Sequence, residues 1–183
     1  MKQLSRTARI LAAAGLSIGL VGLAAPADAA RYSIDDPADA GGSNNDVLAF
    51  TYVHGKANVR FVIDVDDLRA SSGAGATIYI DTRGGRPGPE FALGTGLGSG
   101  TDYALYRTQS NWRPAKGSHP INCDYQVKLK YKADKAVATV SRECLRMPKR
   151  VRASVKVVDS VGAKTVRDWA PGAKKFGLRV AAG

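Results

Sequence analysis

The chain has 183 residues, of which 44% are hydrophobic, 23% charged and 7% aromatic, with a formal net charge of +11. An uncharged run rich in Ala, Leu and Gly, Ile10 to Leu23, is shorter than the ~20 residues a membrane-crossing helix needs, and no second such run follows it, which argues against a membrane-spanning mature protein. Residues 31–106 carry a net charge of −4 and residues 107–183 one of +13; such an asymmetry steers a molecule toward anionic polymers or surfaces and equally serves as plain solubilising charge.

The first element is a secretory signal. Lys2, Arg6 and Arg9 precede the apolar run, and Ala27-Asp28-Ala29 places small residues where a signal peptidase reads. Residues 1–29 are therefore expected to be removed, with cleavage after Ala29 or Ala30 leaving an exported, secreted protein. No Cys follows the run to accept a lipid, Arg6 and Arg9 are not adjacent as a twin-arginine signal requires, and no C-terminal anchor pattern is present. The rest has the size of one domain.

Residues 30–45, with Pro37 and Gly41-Gly42, read as an irregular entry segment, and residues 46–183 as a single domain. Asp46 to His54 and Ala57 to Val65 alternate in polarity and read as a hairpin turning at Gly55-Lys56, with Tyr52 opposite Val59 and Phe50 opposite Phe61. Ala76 to Thr82 is a strand ended by the Gly- and Pro-rich loop 83–89. Glu90 to Leu93 and Asp102 to Thr108 form a further pair around the loop-like tract Gly94 to Gly100. Tyr125, Val127, Leu129 and Tyr131 alternate with Gln126, Lys128 and Lys130, and a second strand runs from Ala136 to Cys144. A turn at Ala133-Asp134 sets Val127 opposite Val140 and Cys123 opposite Cys144, so the two cysteines are expected to close the hairpin as a disulfide, worth about 3 kcal/mol in the chain-entropy picture. Val151 to Asp159, Thr165 to Trp169 and Phe176 to Val180 complete the strands. With no helical period outside the signal, the fold class predicted is all-β, an antiparallel β-sandwich of jelly-roll type, with a closed barrel as the alternative.

The succession His54-Gly55, Ile80-Asp81-Thr82, Arg86-Pro87-Gly88-Pro89-Glu90-Phe91 and Val140-Ser141-Arg142-Glu143-Cys144-Leu145, with Pro148 and Val151-Arg152 after it, resembles a family of uncharacterised secreted proteins from actinobacteria. The resemblance covers nearly all of the mature chain. It implies an exported β-sandwich similar to carbohydrate-binding modules of the jelly-roll kind, and it brings no activity with it. This chain departs from the family at Ser141-Arg142-Glu143, where Pro is common before the Arg-Cys-Leu segment.

Several residue sets suggest chemistry. Asp35, Asp36, Asp39, Asp46 and Asp168 are candidate ligands for a structural calcium, which takes six to eight oxygens, with Asp81 joining if strand ends converge; Asp is also an ordinary turn residue. Alternation places Arg150, Arg152 and Lys156 on one outward strand face and Lys128, Lys130 and Lys132 on another. If the two strands are neighbours, they make a basic face for cell-wall polysaccharide or another anionic polymer. Sequence-specific nucleic-acid binding is not expected, because no aromatics interleave with these charges. Tyr103, Tyr106 and Trp112 are candidates for stacking on sugars, whereas Trp169 reads as a core plug at a strand end. The two histidines, His54 and His119, show no metal spacing, and no nucleophile elbow, zinc-protease helix or phosphate loop is present. The expected function is a secreted, non-catalytic binding or envelope-associated protein. The alternative is an extracellular hydrolase using Asp64, Asp66 or Glu90.

Overall fold

A computed structural model describes residues 30–109 and 112–183; the expected signal peptide falls outside the described residues. Period-two alternation gives the strands β1 (Ala30–Asp35), β2 (Val47–His54), β3 (Asn58–Val65), β4 (Gly75–Asp81), β5 (Phe91–Gly96), β6 (Tyr103–Arg107), β7 (Tyr125–Lys130), β8 (Lys135–Ser141), β9 (Arg150–Val161), β10 (Lys164–Ala170) and β11 (Val180–Ala181). They form two antiparallel sheets, β1-β2-β3-β8-β7 and β10-β9-β4-β5-β6, with β11 alongside β9. The protein is an antiparallel β-sandwich, the architecture the strand pattern predicts. Each sheet is a three-strand meander completed by a later hairpin that returns to it.

The inward residues of both sheets make one core. Phe50, Tyr52, Phe61 and Ile63 come from the first sheet, and Ile78, Ile80, Leu93, Leu105, Val151, Ala153, Val155 and Val157 from the second, all buried. β7 is an edge strand: Tyr125, Val127 and Leu129 pack on the core while Lys128 and Lys130 face water. Lysines on an edge strand also discourage pairing with another chain. Leu145 follows the disulfide and is fully buried, so the turn at 142–148 plugs one end of the sandwich.

Five expectations are corrected. The entry segment 30–45 is not irregular throughout, because residues 30–35 form β1 and pair with β2 along its length. In the β2–β3 hairpin Tyr52 faces Phe61 and Phe50 faces Ile63, a shift of two residues that lengthens the turn to Gly55–Asn58. The β7–β8 hairpin is shifted likewise, Tyr125 facing Val140 and Leu129 facing Ala136, with a short 3-10 turn at Tyr131–Ala133 and Asp134 left-handed after it. A shift of two leaves every side chain on its expected face, which is why the buried set was right while the register was not. The strand from Glu90 continues through Gly94 and Gly96, which pair with Thr77 and Gly75. The final strand shrinks to Val180–Ala181.

The disulfide joins Cys123, ahead of β7, to Cys144, beyond β8, with their Cα atoms 5.8 Å apart. The C-terminal strap is held by the core of both sheets. Tyr52 donates its hydroxyl to the Leu178 carbonyl, and Gly177 N donates to Ala153 O at 3.1 Å. Gly177 has no room for a side chain: a Cβ there would sit 2.4 Å from the Tyr32 ring.

Candidate functional site

The outward face of the second sheet carries a band of aromatic rings. Tyr79 on β4 and Trp169 on β10 lie nearly parallel with centroids 5.5 Å apart. Trp112 comes over them from the hairpin flap after β6, edge-on to Tyr79 at 5.0 Å and to Trp169 at 5.8 Å, and stacks on Phe176 of the C-terminal strap at 4.4 Å. Cations close both ends. The Arg152 guanidinium lies 4.7 Å from the Phe176 centroid, and Lys156 Nζ is 5.7 Å from Trp169 and 5.9 Å from Tyr79. Arg152 and Lys156 are both outward residues of β9, about 13 Å apart by strand geometry, with buried Ser154 between them as the floor.

Local sequence explains the band. Asp168 and Ala170 of β10 point inward, so Trp169 between them must point out. It is therefore not the core plug its position before Pro171 suggested. Trp112 has a φ of 64°, rare for a bulky residue, and is held there by the flap bonds Gln109 N to Arg113 O and Trp112 N to Gln109 O. Trp112, Trp169 and Phe176 are partly buried while Tyr79 is covered. Burial and the nearby charge of Arg167 pull the Lys156 ammonium below its ordinary pKa.

The other predicted sets fare differently. The basic strands are not neighbours: Lys128 and Lys130 lie on the edge of the first sheet and Lys132 in its 3-10 turn, whereas Arg150, Arg152 and Lys156 lie on β9 of the second. There is no single joined basic face. Arg152 is engaged in addition by buried Asp81, donating from Nε at 2.7 Å, while Arg179 Nη2 reaches both Asp81 oxygens at 2.9 Å. The sugar candidates divide as well. Tyr106 and Trp112 belong to the outer side, but Tyr103 packs edge-on to Tyr125 at 5.9 Å, across the seam between the sheets.

The proposed calcium ligands converge in part. Asp36, Asp39 and Asp168 bring carboxylate oxygens within 4.8 Å of one another. Asp46 lies close enough to raise the pKa of both Asp36 and Asp168. Burial, then the charges of Asp168, Asp39 and Asp46, push the Asp36 carboxyl up to about 6. Two of the group are already used as acceptors, Asp46 by Ala40 N at 2.7 Å and Asp168 by Val47 N at 2.6 Å. Asp35 points to solvent on β1, and Asp81 is at the far end of β4 with its two arginines, so neither joins the cluster. Of the carboxylates considered for hydrolysis, Asp64 pairs with Lys135 and, with Asp66, sits at the cluster's end of the sandwich. Glu90 bonds Thr82 at the opposite end, so they form no catalytic pair.

His54 is buried, with Nδ1 3.2 Å from the Val180 carbonyl, and burial holds its pKa below the ordinary value; His119 is exposed. No helix among the described residues is long and apolar enough to cross a membrane. Comparison of the chain with protein-family models, with curated proteins and with solved structures finds no match.

Nothing in the order of residues marks Phe176 or Tyr79 as members of the outward band. Tyr79 sits in a continuous apolar run, and Phe176 reaches the band only because the chain doubles back after Pro171. Arg83 and Arg86 of the β4–β5 loop, Arg107 at the end of β6 and Arg146 after the disulfide share no sequence pattern, yet they converge at one end of the sandwich.

Proposed function

We propose that the protein is exported and binds, without catalytic turnover, a carbohydrate or anionic polymer of the cell envelope, using the outer face of the second sheet. The aromatic band bracketed by Arg152 and Lys156 carries this reading. The partly buried rings of Trp112 and Trp169 offer stacking area to sugars, and Lys156, which has no ion pair among the described residues, suits a carboxylate or phosphate substituent. The Cys123–Cys144 disulfide fits an oxidising compartment, in agreement with the signal-like start and the resemblance to secreted actinobacterial proteins.

Cosedimentation with isolated Gram-positive cell wall tests this reading. The disulfide-bonded protein is expected to pellet with the wall, to be retained in part at high salt, and to lose that salt-resistant fraction in Trp112→Ala, with a thermal melt checking that the variant folds. Absence of pelleting at any salt overturns the proposal. Binding that salt abolishes and Trp112→Ala leaves unchanged overturns the assignment to the aromatic band.

A further inference from the structure

At the end of the sandwich remote from the Asp36 cluster, a cleft of about 340 Å³ opens between the β4–β5 loop, the end of β6 and the turn after the disulfide. Four arginines line it from three separate stretches of chain: Arg83 and Arg86 from the loop, Arg107 from β6 and Arg146 from the turn. Its floor is apolar, with Phe91 and Leu145 3% and 1% exposed. Among the described residues, none of the four guanidinium groups has an ion pair or a side-chain hydrogen bond. The buried carboxylate beside the cleft cannot neutralise them, since both Asp81 oxygens are taken by Arg152 and Arg179.

Four unpaired guanidinium groups around one hollow concentrate positive potential and present planar donor forks that match the oxygens of a phosphate. The wall also holds one carboxylate, Glu90, whose Oε2 accepts from Thr82 N at 2.8 Å and from Thr82 Oγ1 at 3.3 Å. A carboxylate in an anion site opposes a bare anion, and it favours one that carries hydroxyl donors next to its charge. A second hollow, of about 620 Å³, adjoins the first, with Arg86, Glu90 and Thr108 lining both. We propose that this cleft binds a polyol or sugar phosphate, its phosphate on the arginines and a neighbouring hydroxyl donating to Glu90. The proposal is independent of the aromatic band.

Calorimetric titration of the disulfide-bonded protein at low salt tests it, with glycerol 3-phosphate, inorganic phosphate and glycerol as probes. Glycerol 3-phosphate is expected to bind about tenfold or more tighter than inorganic phosphate. Arg86→Ala/Arg107→Ala is expected to weaken both phosphates by about tenfold or more, while Lys128→Ala/Lys130→Ala leaves both unchanged. Glu90→Gln should erase the preference for glycerol 3-phosphate without weakening inorganic phosphate. Equal losses in the arginine and lysine variants would reduce the effect to diffuse charge and overturn the site, as would the absence of saturable binding; a preference that survives Glu90→Gln would overturn the hydroxyl contact. Poly(glycerol phosphate) distinguishes the sources of the same chemistry: tighter binding per repeat than the monomer assigns a polymer, and equal binding assigns a free small phosphate. Trp112→Ala should leave all of these titrations unchanged, so failure here and failure of wall binding are read separately.

Discussion

The two ends of the sandwich use charge in opposite ways. At one end the carboxylates are tethers. Asp159 accepts from Ser43 Oγ at 2.6 Å, Asn45 Nδ2 at 3.0 Å and Ser160 N at 2.7 Å, Asp134 accepts from Leu68 N at 2.9 Å, and Asp46 and Asp168 accept from backbone amides. They fasten loops whose amides would otherwise go unpaired. At the other end Asp81 anchors Arg152 and Arg179, and four more arginines around the cleft have no such partner. Charge satisfied inside the fold serves the fold, and charge left over is available to a ligand.

The largest effect that could break this contrast is expected at Asp81. Asp81→Ala removes a fully buried carboxylate from two arginines that are themselves partly solvated, so a loss of about 3 kcal/mol, the lower part of the range for broken buried pairs, should appear in denaturant melts. A loss under about 1 kcal/mol would show that this carboxylate is no anchor. Asp159→Ala comes next, at about 2 kcal/mol for its charged hydrogen bonds. Burial pushes the Asp159 pKa up, but the bonds from Ser43, Asn45 and Ser160 outweigh it and hold the group below its ordinary value. Its contribution is accordingly present above the ordinary pKa of 3.8 and lost as pH falls through the lowered one.

The smallest effect concerns Asp36, and it has the opposite sign. With its pKa raised from 3.8 to about 6, its contribution to stability is fully present below pH 3.8 and lost as pH rises through about 6. Asp36→Asn should therefore melt higher than the unsubstituted protein at pH 7, with the gap closing as pH falls from 6 toward 4. Comparing the two proteins at each pH cancels the contribution of His54, whose lowered pKa makes it lose stability in acid. A gap independent of pH would contradict the carboxylate crowding. The same melts with millimolar calcium separate an ion site from repulsion alone: a calcium-dependent rise that Asp36→Asn lacks assigns an ion to these carboxylates, and a flat response leaves repulsion as their whole effect.

Much of the fold was legible because strand alternation is local. The inward positions of β2, β3, β7 and β9 follow from the order of apolar and polar residues, and the pairing of Cys123 with Cys144 follows from a hairpin that survives a two-residue shift in register. The exact register was not legible, since it depends on the left-handed Asp134 and the four-residue turn after His54, which the alternation leaves undetermined. The calcium candidates were half legible: Asp36 and Asp39 are close in sequence, but Asp168 reaches them only because β10 packs near the start of β2.

What this sequence determined alone is what two-residue periodicity and composition can encode: strands, faces, a disulfide and an uneven charge. Only the tertiary structure decided which charges meet. It separated Lys128 and Lys130 from Arg152 and Lys156 by assigning β7 and β9 to different sheets, turned Trp169 outward onto Tyr79, and gathered Arg83, Arg86, Arg107 and Arg146 around one cleft. The physical reason is range. Side-chain direction along a strand is set by immediate neighbours, whereas partnership between surface groups is set by contacts between strands and loops far apart in the chain, chosen by burial of the core.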